Sequence, residues 1–478
     1  MLNDPVGGPA RLSAVASLLL LAACAAPPLA RVSASVISVP ASWSTGAASA
    51  GASALAQWWW RFDDPLLAEL VRRALAANTD VARAQAVLRR GWALRDEASA
   101  SLRPRLDGTA SAQRSRVSND TRNTLRVGLD ASWDPDLFGT RRDALDASLA
   151  TAQALGATLG DVQVGTAAAV ALAYIALRGN QARLAIAVES LAGQSETLQL
   201  TLWRVQAGLL SSLEGEQARS AAEQTAAQLP ALQGAIDQGA HALAVLTGEV
   251  PGALLATLAA PRAMPLPADD LVLDIPVETL RGRADVRAAE LQVQAALSRV
   301  SGAEAARWPS LRLSGNLGVG AVTLTALGHG AAVATGVLAG LSAPLLDGGA
   351  ARAQVLVQQA ALEEADASHR ATVLTALRDV EDALVALRFD RERLARLRGA
   401  ADAAGNAALL ARQRFSSGLA DFQTVLETQR TQRIAQDSSV SAAVNLGASH
   451  VRLYAALGGG WRRDGPGTAT HAGQEPAR

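Results

Sequence analysis

Composition and pattern predict a mainly α-helical protein with a small membrane-type β part, built from two β-β-long-helix halves. Three observations carry this. A pair of short alternating stretches occurs twice. The first is RPRLDGTASAQRSR with NTLRVGLDASWDPDLFGTRR, between Arg103 and Arg142; the second is RWPSLRLSGNLGVGA with a Gly/Ala stretch ending LSAPLLDGGAAR, between Arg307 and Arg352. Each pair is followed by more than 60 residues without Pro, rich in the helix formers Ala, Leu, Gln, Arg and Glu. The copies also keep register. Pro104 matches Pro309, Leu106 matches Leu311, Pro135 matches Pro344 and Gly139 matches Gly348, at 205 to 209 residues. Arg204 then matches Arg414, Gly208 matches Gly418, Leu243 matches Leu453 and Gly248 matches Gly458, all at 210. A repeat this long is not a solenoid unit. It is a duplicated half, and it predicts one domain with pseudo-twofold internal symmetry.

The 44 basic and 44 acidic side chains cancel, so charge gives no pull toward nucleic acid. Every basic residue is Arg; without Lys, a Schiff base and a phosphate-binding P-loop are excluded. Cys24 is the single Cys, which rules out an internal disulfide and a Cys-based metal cluster. The five His are scattered without an i,i+4 pair, and the only Met are Met1 and Met264. No metal site, Met-lined metal path or cofactor is therefore expected. No nucleophile elbow or partnered carboxylate pair stands out, and no enzyme activity is expected.

Taken in order, the chain opens with Arg11 and an apolar run from Leu12 to Ala23, the length of a signal-peptide core and too short to span a bilayer. Residues 1–23 are read as that signal. Leu21-Ala22-Ala23-Cys24 resembles a bacterial lipobox, which makes Cys24 the lipidation site; the alternative is an ordinary secretory signal with an incidental Cys. Ala25 follows in place of Asp, which in such lipoproteins points to the outer membrane. Lipid chains add about 0.8 kcal/mol per buried methylene and anchor without spanning. Residues 24–57 are Pro/Ser/Gly/Ala-rich and read as an extended tether. Asp63-Asp64-Pro65 then signals a helix start, and a second helix is expected from about Val81 to Leu102.

The strands are expected at about 105–116, 124–134, 310–321 and 331–343. Leu125, Val127, Leu129, Ala131 and Trp133 alternate with Arg126, Gly128, Asp130 and Ser132. Leu311, Leu313, Leu317 and Val319 alternate with Arg312, Ser314, Asn316 and Gly318. Period two gives one apolar and one polar face, and about ten residues is the length of a tilted membrane strand. Trp133, Phe138 and Trp308 sit where an aromatic girdle would lie. The fourth strand is Gly/Ala-rich and alternates poorly. Four strands cannot close a barrel, and an open edge in lipid leaves backbone groups unsatisfied. The chain would therefore assemble; three copies supply twelve strands, enough for a water-filled barrel.

The helices from Arg141 to about Arg204 and from Ala350 to about Arg414 would each reach about 90 Å. Leu377, Val380, Leu384, Leu387 and Leu394 follow the 3,4 spacing of a coiled-coil seam, although a plain buried bundle helix fits as well. Turns at 204–212 and 414–422 are followed by returning helices that stop at Gly248 and Gly458. Gly208 and Gly418 let the chain turn. The first structural repeat covers 58–250, a Pro-rich linker 251–276, the second repeat 277–461 and a disordered tail 462–478. Val164 to Leu177, Ala-rich but broken by Gly and Thr, reads as bundle core.

With these segments in hand, the sequence resembles the TolC-like outer-membrane efflux proteins. More narrowly, it resembles the NodT-type lipoprotein outer-membrane factors of resistance–nodulation–division pumps. WWWRFDDPLLAELVRRALAANTDV, ASWDPDLFGTRR, AVLTG, RGRADVRAAE, APLLDGGAAR, LRDVEDAL, RFSSGLADFQTVLETQR and LYAALGGGW carry the match from residue 58 to 461. Ala284 departs from it, standing where the family has Pro in an Arg-Pro-Asp triplet. The resemblance implies a homotrimer with a barrel in outer-membrane lipid and a coiled-coil tunnel in the periplasm. It also implies a periplasmic adaptor (membrane fusion) protein and an inner-membrane resistance–nodulation–division pump as partners. The role it implies is passive exit duct for drugs or other small toxic compounds. Metal-ion efflux and type I secretion are alternatives within that class; a lipid-anchored periplasmic coiled coil is the alternative outside it.

By the same resemblance, the periplasmic tip closes through a ring of acidic side chains. The matching stretch runs from Gly418 to Glu427. Glu427 falls on one gate acid, Thr424 occupies the other acidic position, and Asp421 supplies charge nearby. Three copies converging on an axis would favour cations and repel one another. Equally, Asp421 and Glu427 can be solvated carboxylates at a favourable helix start. Glu214 and Glu216, with Arg204, make the first-half tip. Arg412 and Arg414 would hold a closed tip by interhelix ion pairs, or lie on the surface without that role. In the family, the tips at Gly208 and Gly418 also meet the adaptor.

Overall fold

The computed structural model describes residues 40, 42–43, 55–118, 120–267, 276–329 and 331–461, all within the unit Ser38–Arg478. The expected signal peptide, Cys24, most of the tether, part of the linker and the tail lie outside the described residues.

A short 3-10 turn, Trp58–Phe62, leads into α1 (Pro65–Ala77) and α2 (Thr79–Ala100). Asp64 caps α1, accepting from the N–H groups of Leu66 at 2.9 Å and Leu67 at 3.2 Å, and Pro65 follows where no donor is needed. Asn78 does two jobs at the next junction. Its Oδ1 accepts from Asp80 N at 2.8 Å and starts α2, while its Nδ2 donates to Leu246 O at 2.9 Å. Then come β1 (Arg105–Val117), β2 (Asp120–Trp133), α3 (Thr140–Gln206), α4 (Ser212–Ala226) and α5 (Gln228–Leu246). A one-turn α6 (Leu255–Leu258) and α7 (Pro276–Gly282) follow. The second half contains α8 (Ala284–Ala305), β3 (Ser310–Ala321), a short α9 (Leu324–Gly328), β4 (Ala332–Ser342), α10 (Ala350–Ser416) and α11 (Phe422–Ala456).

Both long helices have 67 residues, about 100 Å at 1.5 Å per residue. Each begins at a left-handed glycine cap, Gly139 at φ 90° and Gly349 at φ 90°. The sequence alignment paired Gly139 with Gly348; the caps correct this by one residue, so the register of 210 already holds at the start of the helix. The returning segments differ. The first is split into α4 and α5, because Pro230 has no N–H for the Ala226 carbonyl. In the second, Val440 stands at the matching place and α11 runs unbroken for 35 residues.

The four strands form one antiparallel sheet in the order β1-β2-β3-β4. Trp133 pairs with Leu313, Leu129 with Leu317 and Val127 with Val319, so the apolar sides of β2 and β3 share a face. Leu106 and Ala110 extend that face on β1, opposite Ala131 and Val127. The weak pattern of β4 is resolved by its register. Val333 meets Val319, Thr335 meets Leu317 and Leu341 meets Leu311 on the apolar face, leaving Ala334, Gly336 and Gly340 on the other. Leu338, opposite Ser314, shares that second face, so both faces of β4 are apolar or small and its polarity does not alternate. At the helix end of the sheet, Trp133 Nε1 donates to Leu102 O at 3.1 Å, and Phe138 stacks on Trp308 at 5.8 Å.

The main core lies midway, where Trp58 stacks on Tyr454 at 5.5 Å beside Phe62, Leu70, Ile175 and Leu243. Burial of such side chains is worth about 2 kcal/mol each. Arg178 is 1% exposed; its Nη1 donates to Ala260 O at 2.8 Å and its Nη2 to the Tyr174 hydroxyl at 3.1 Å, while its Nε has no partner among the described residues. Tyr174 donates to Asp64 at 2.6 Å; burial first, then the bond to that carboxylate, pushes its phenol up to about 12. This network ties α3 to the inter-repeat chain. Among the described residues one helix, α3, is long and apolar enough to cross a membrane, but Ala167, Val170, Ala171, Tyr174, Ile175 and Leu177 of its apolar stretch are buried in the core. Val380, Leu384, Leu387 and Leu394 form the expected buried seam of α10 against Leu446 and Leu453 of α11.

Candidate functional site

The ends of α3 and α10 remote from the sheet carry the residues singled out in the sequence. Both turns are built alike. Leu209 N donates to Arg204 O at 2.8 Å and Gly208 N to Val205 O at 3.0 Å; Leu419 N donates to Arg414 O at 2.7 Å and Gly418 N to Phe415 O at 2.9 Å. These paired bonds close a helix through one left-handed residue. Gly208 at φ 72° and Gly418 at φ 74° supply it, with open space around each. Leu209 and Leu419 follow, both exposed.

The next helices are capped by different chemistry. Ser211 and Glu214 form a reciprocal capping box at α4. Glu214 accepts from Ser211 N at 3.0 Å and from the Ser211 hydroxyl, and that hydroxyl holds its carboxyl below the usual range. At α11, Asp421 Oδ1 accepts from Thr424 N at 2.7 Å. The Thr424 side chain, followed by its backbone, keeps Asp421 below the usual carboxylate range. Asp421 is thus a helix cap within one chain, whereas Glu427 lies past the first turn of α11. Glu427 is exposed on α11, and Glu216 pairs with Arg219 at 3.3 Å.

The expected arginine contacts divide. Arg412 lies 3.6 Å from Glu196 across the hairpins. Arg414 is exposed and makes no ion pair within 4 Å among the described residues. Arg204 makes the more extensive cross-hairpin contact. Its guanidinium carbon lies 4.3 Å from the Phe415 ring centre, and Nη2 donates to Phe415 O at 2.8 Å and Ser416 O at 3.1 Å. It satisfies carbonyls at the negative end of α10 while covering the ring. Phe415 in turn meets Phe422 edge-on at 6.2 Å over Ala218, Ala411 and Val425. Gln423 donates to Gln217 at 2.6 Å and Gln429 to Thr197 at 3.1 Å. Beside Arg204 and Phe415 is an open groove of about 510 Å³, reached by Glu214 and Asp421.

Phe415 and the glutamine pair went unremarked in the sequence. One signal was present: Phe415 matches Val205, so only one copy offers an aromatic ring. Among the described residues no cluster of His, Cys, Asp and Glu could hold a metal ion. The tip is a ring-stacked, hydrogen-bonded junction of two helical hairpins, with acidic caps around it.

Comparison with known proteins bears on this arrangement. The family model for outer membrane efflux proteins matches residues 70–249 and again 275–459, one match for each half. Nodulation protein T of Rhizobium leguminosarum bv. viciae is 30% identical over 94% of both chains. The pyoverdine export outer membrane protein OpmQ of Pseudomonas aeruginosa is 31% identical over 96% of this chain and 98% of its own. Among solved structures, the outer-membrane channel OprN superposes with a TM-score of 0.80 at 35% identity, covering 89% of this chain and 98% of that one.

Proposed function

The chain belongs to the outer membrane efflux protein family, and from that premise we propose how this outer-membrane channel is assembled and what it carries. It is a homotrimer whose three sheets join into a twelve-stranded barrel. Its helices form a periplasmic tunnel that docks a periplasmic adaptor and, through it, a resistance–nodulation–division pump. It carries drugs or other small toxic organic compounds outward without selecting them. The supporting observation is the sheet itself. Its outer strands β1 and β4 each have a free edge within one chain, and one face is apolar. In lipid, free edges leave backbone groups unpaired, so β1 of one copy pairing with β4 of the next meets the need.

The lack of selection is supported by the relatives. Those named for nodulation, pyoverdine export and toluene efflux share 30–31% identity with this chain. A common duct serving different pumps accounts for that spread. At the tip, Asp421, Glu427 and Glu214 of three copies would converge as an acidic gate, with Gly208, Gly418 and their exposed leucines toward the adaptor. Arg414, without an ion pair among the described residues, is available to a neighbouring copy. Cys24 would carry the lipid anchor.

Crosslinking in native membranes followed by purification tests this. The expected result is a detergent-dependent trimer that brings an adaptor and an inner-membrane pump. A monomer that needs no detergent once Cys24→Ala removes the lipid would point instead to a lipid-anchored periplasmic coiled coil.

A further inference from the structure

The β1–β2 ladder changes chemistry along its length while keeping its register. From Trp133 to Leu125 the outward face is apolar for nine residues. At about 3.3 Å per residue and a tilt of about 40°, that is about 23 Å, close to the height of an outer-membrane apolar band. Trp133 marks its helix-side, periplasmic limit. The far limit is Leu125, paired with Ala112. The next two outward rungs beyond it are Arg114 opposite Asn123, and Arg116 opposite Thr121. Both arginines are exposed and make no ion pair or hydrogen bond among the described residues. Arg122, between those two rungs, and Arg126, within the height of the band, fall on the opposite face toward the lumen. The other hairpin lacks this feature. Its ladder stops lower: the last outward residues are Ala321, opposite Leu125, and Val333, opposite Val319, with exposed Val322 and Leu324 beyond.

Two unpaired guanidinium groups just above an apolar band, flanked by an amide and a hydroxyl, face the headgroup layer of the outer leaflet. In an outer membrane that layer is a glycolipid with phosphates on its sugars. Arginine matches phosphate with two parallel hydrogen bonds, and Asn123 and Thr121 suit sugar hydroxyls. We propose that Arg114 and Arg116, with Asn123 and Thr121, bind the phosphorylated sugar headgroup of an outer-leaflet glycolipid, one such site per β1–β2 hairpin. The inference rests on the barrel reading above. It adds a lipid-binding role for the rim, separate from the duct.

The test uses the full-length protein, purified in detergent and checked first as a trimer. Binding of bisphosphorylated lipid A, its dephosphorylated form, phosphatidylglycerol and inorganic phosphate is followed by native mass spectrometry. The expected result is at least tenfold tighter binding of bisphosphorylated lipid A than of the other three. R114Q/R116Q should lose at least tenfold in that affinity, while R122Q/R126Q stays within twofold of the parent. Equal binding of the dephosphorylated lipid by the unmutated trimer overturns the proposal, and needs no variant to fold. So does phosphatidylglycerol or free phosphate binding as tightly, or the loss appearing in R122Q/R126Q instead. A chain that is monomeric without detergent overturns the barrel reading itself; a trimer without lipid selectivity overturns this inference alone.

Discussion

Arg204 and Arg414 stand at the same place in the two tip turns, and each carbonyl accepts from the leucine five residues on. Arg204 lies over Phe415 and donates to two carbonyls of the other half. Arg414 is exposed and makes no ion pair among the described residues. The matching ring position in the first half is Val205, which offers a cation no π face. The backbone of the two turns is the same, and one side-chain difference decides which arginine joins the halves. A duplicated chain reuses its stops and turns, while coupling between the copies comes from where they have diverged.

Exchanging the proline that separates the returning segments has the largest expected effect. Val440→Pro should split α11 and cost about 3 kcal/mol or more, since it removes an interior helix bond and clashes with the preceding turn. Pro230→Ala should cost little and can fuse α4 to α5. Thermal unfolding of both variants reads this; equal losses would mean the break near Ala227 has another cause.

Next in size are the turn glycines. Gly418→Val and Gly208→Val place a β-branched residue at positive φ, at about 1–2 kcal/mol each. Because the surroundings are open in both turns, the two losses should agree. A markedly larger loss at one would show that the turns are not equivalent in the assembly.

Arg204→Ala should cost about 1 kcal/mol through the lost ring contact and carbonyl bonds, and should raise the frequency of open events in planar bilayers. Phe415→Leu should recover part of that effect by removing only the ring. Arg414→Ala should leave the stability of the isolated chain unchanged; if it opens the channel as Arg204→Ala does, its partner lies in a neighbouring copy.

The smallest effect is in pH. Asp421 and Glu214 both have folded pKa values below their ordinary ones, through hydrogen bonds to Thr424 and Ser211. Their stabilisation is complete above the unfolded value of about 4 and is lost as pH falls through the folded value. Amide exchange at the starts of α4 and α11, corrected for intrinsic rate, should be flat from about pH 7 to 5 and rise only below about 4. Asp421→Ala should remove the change at α11 and leave that at α4.

Most of the fold was legible because its signals are local. Strands β2 and β3 announce themselves by alternating polarity, and the helix ends by glycines that only a turn requires. β4 was blurred because Leu338 shares a face with Ala334, Gly336 and Gly340 while Thr335 lies on the apolar one, so polarity does not mark its sides. The tip was legible as a place and not as a set of contacts. Arg204 and Arg414 look alike in sequence, and the bond from Arg204 to Phe415 spans 211 residues of chain. Only the folded hairpins bring that pair together.

The equal lengths of α3 and α10 act as matched rulers. Each runs 67 residues from a glycine cap to its tip turn. Deleting seven residues from one alone would retract that tip by about 10 Å and pull Arg204 away from Phe415. Deleting seven from both, with matching cuts in the returning helices, would shorten the tunnel evenly and keep the tips in step. The reach of this channel into the periplasm can therefore change only by coordinated edits in both copies of the repeat, each close to a whole number of turns.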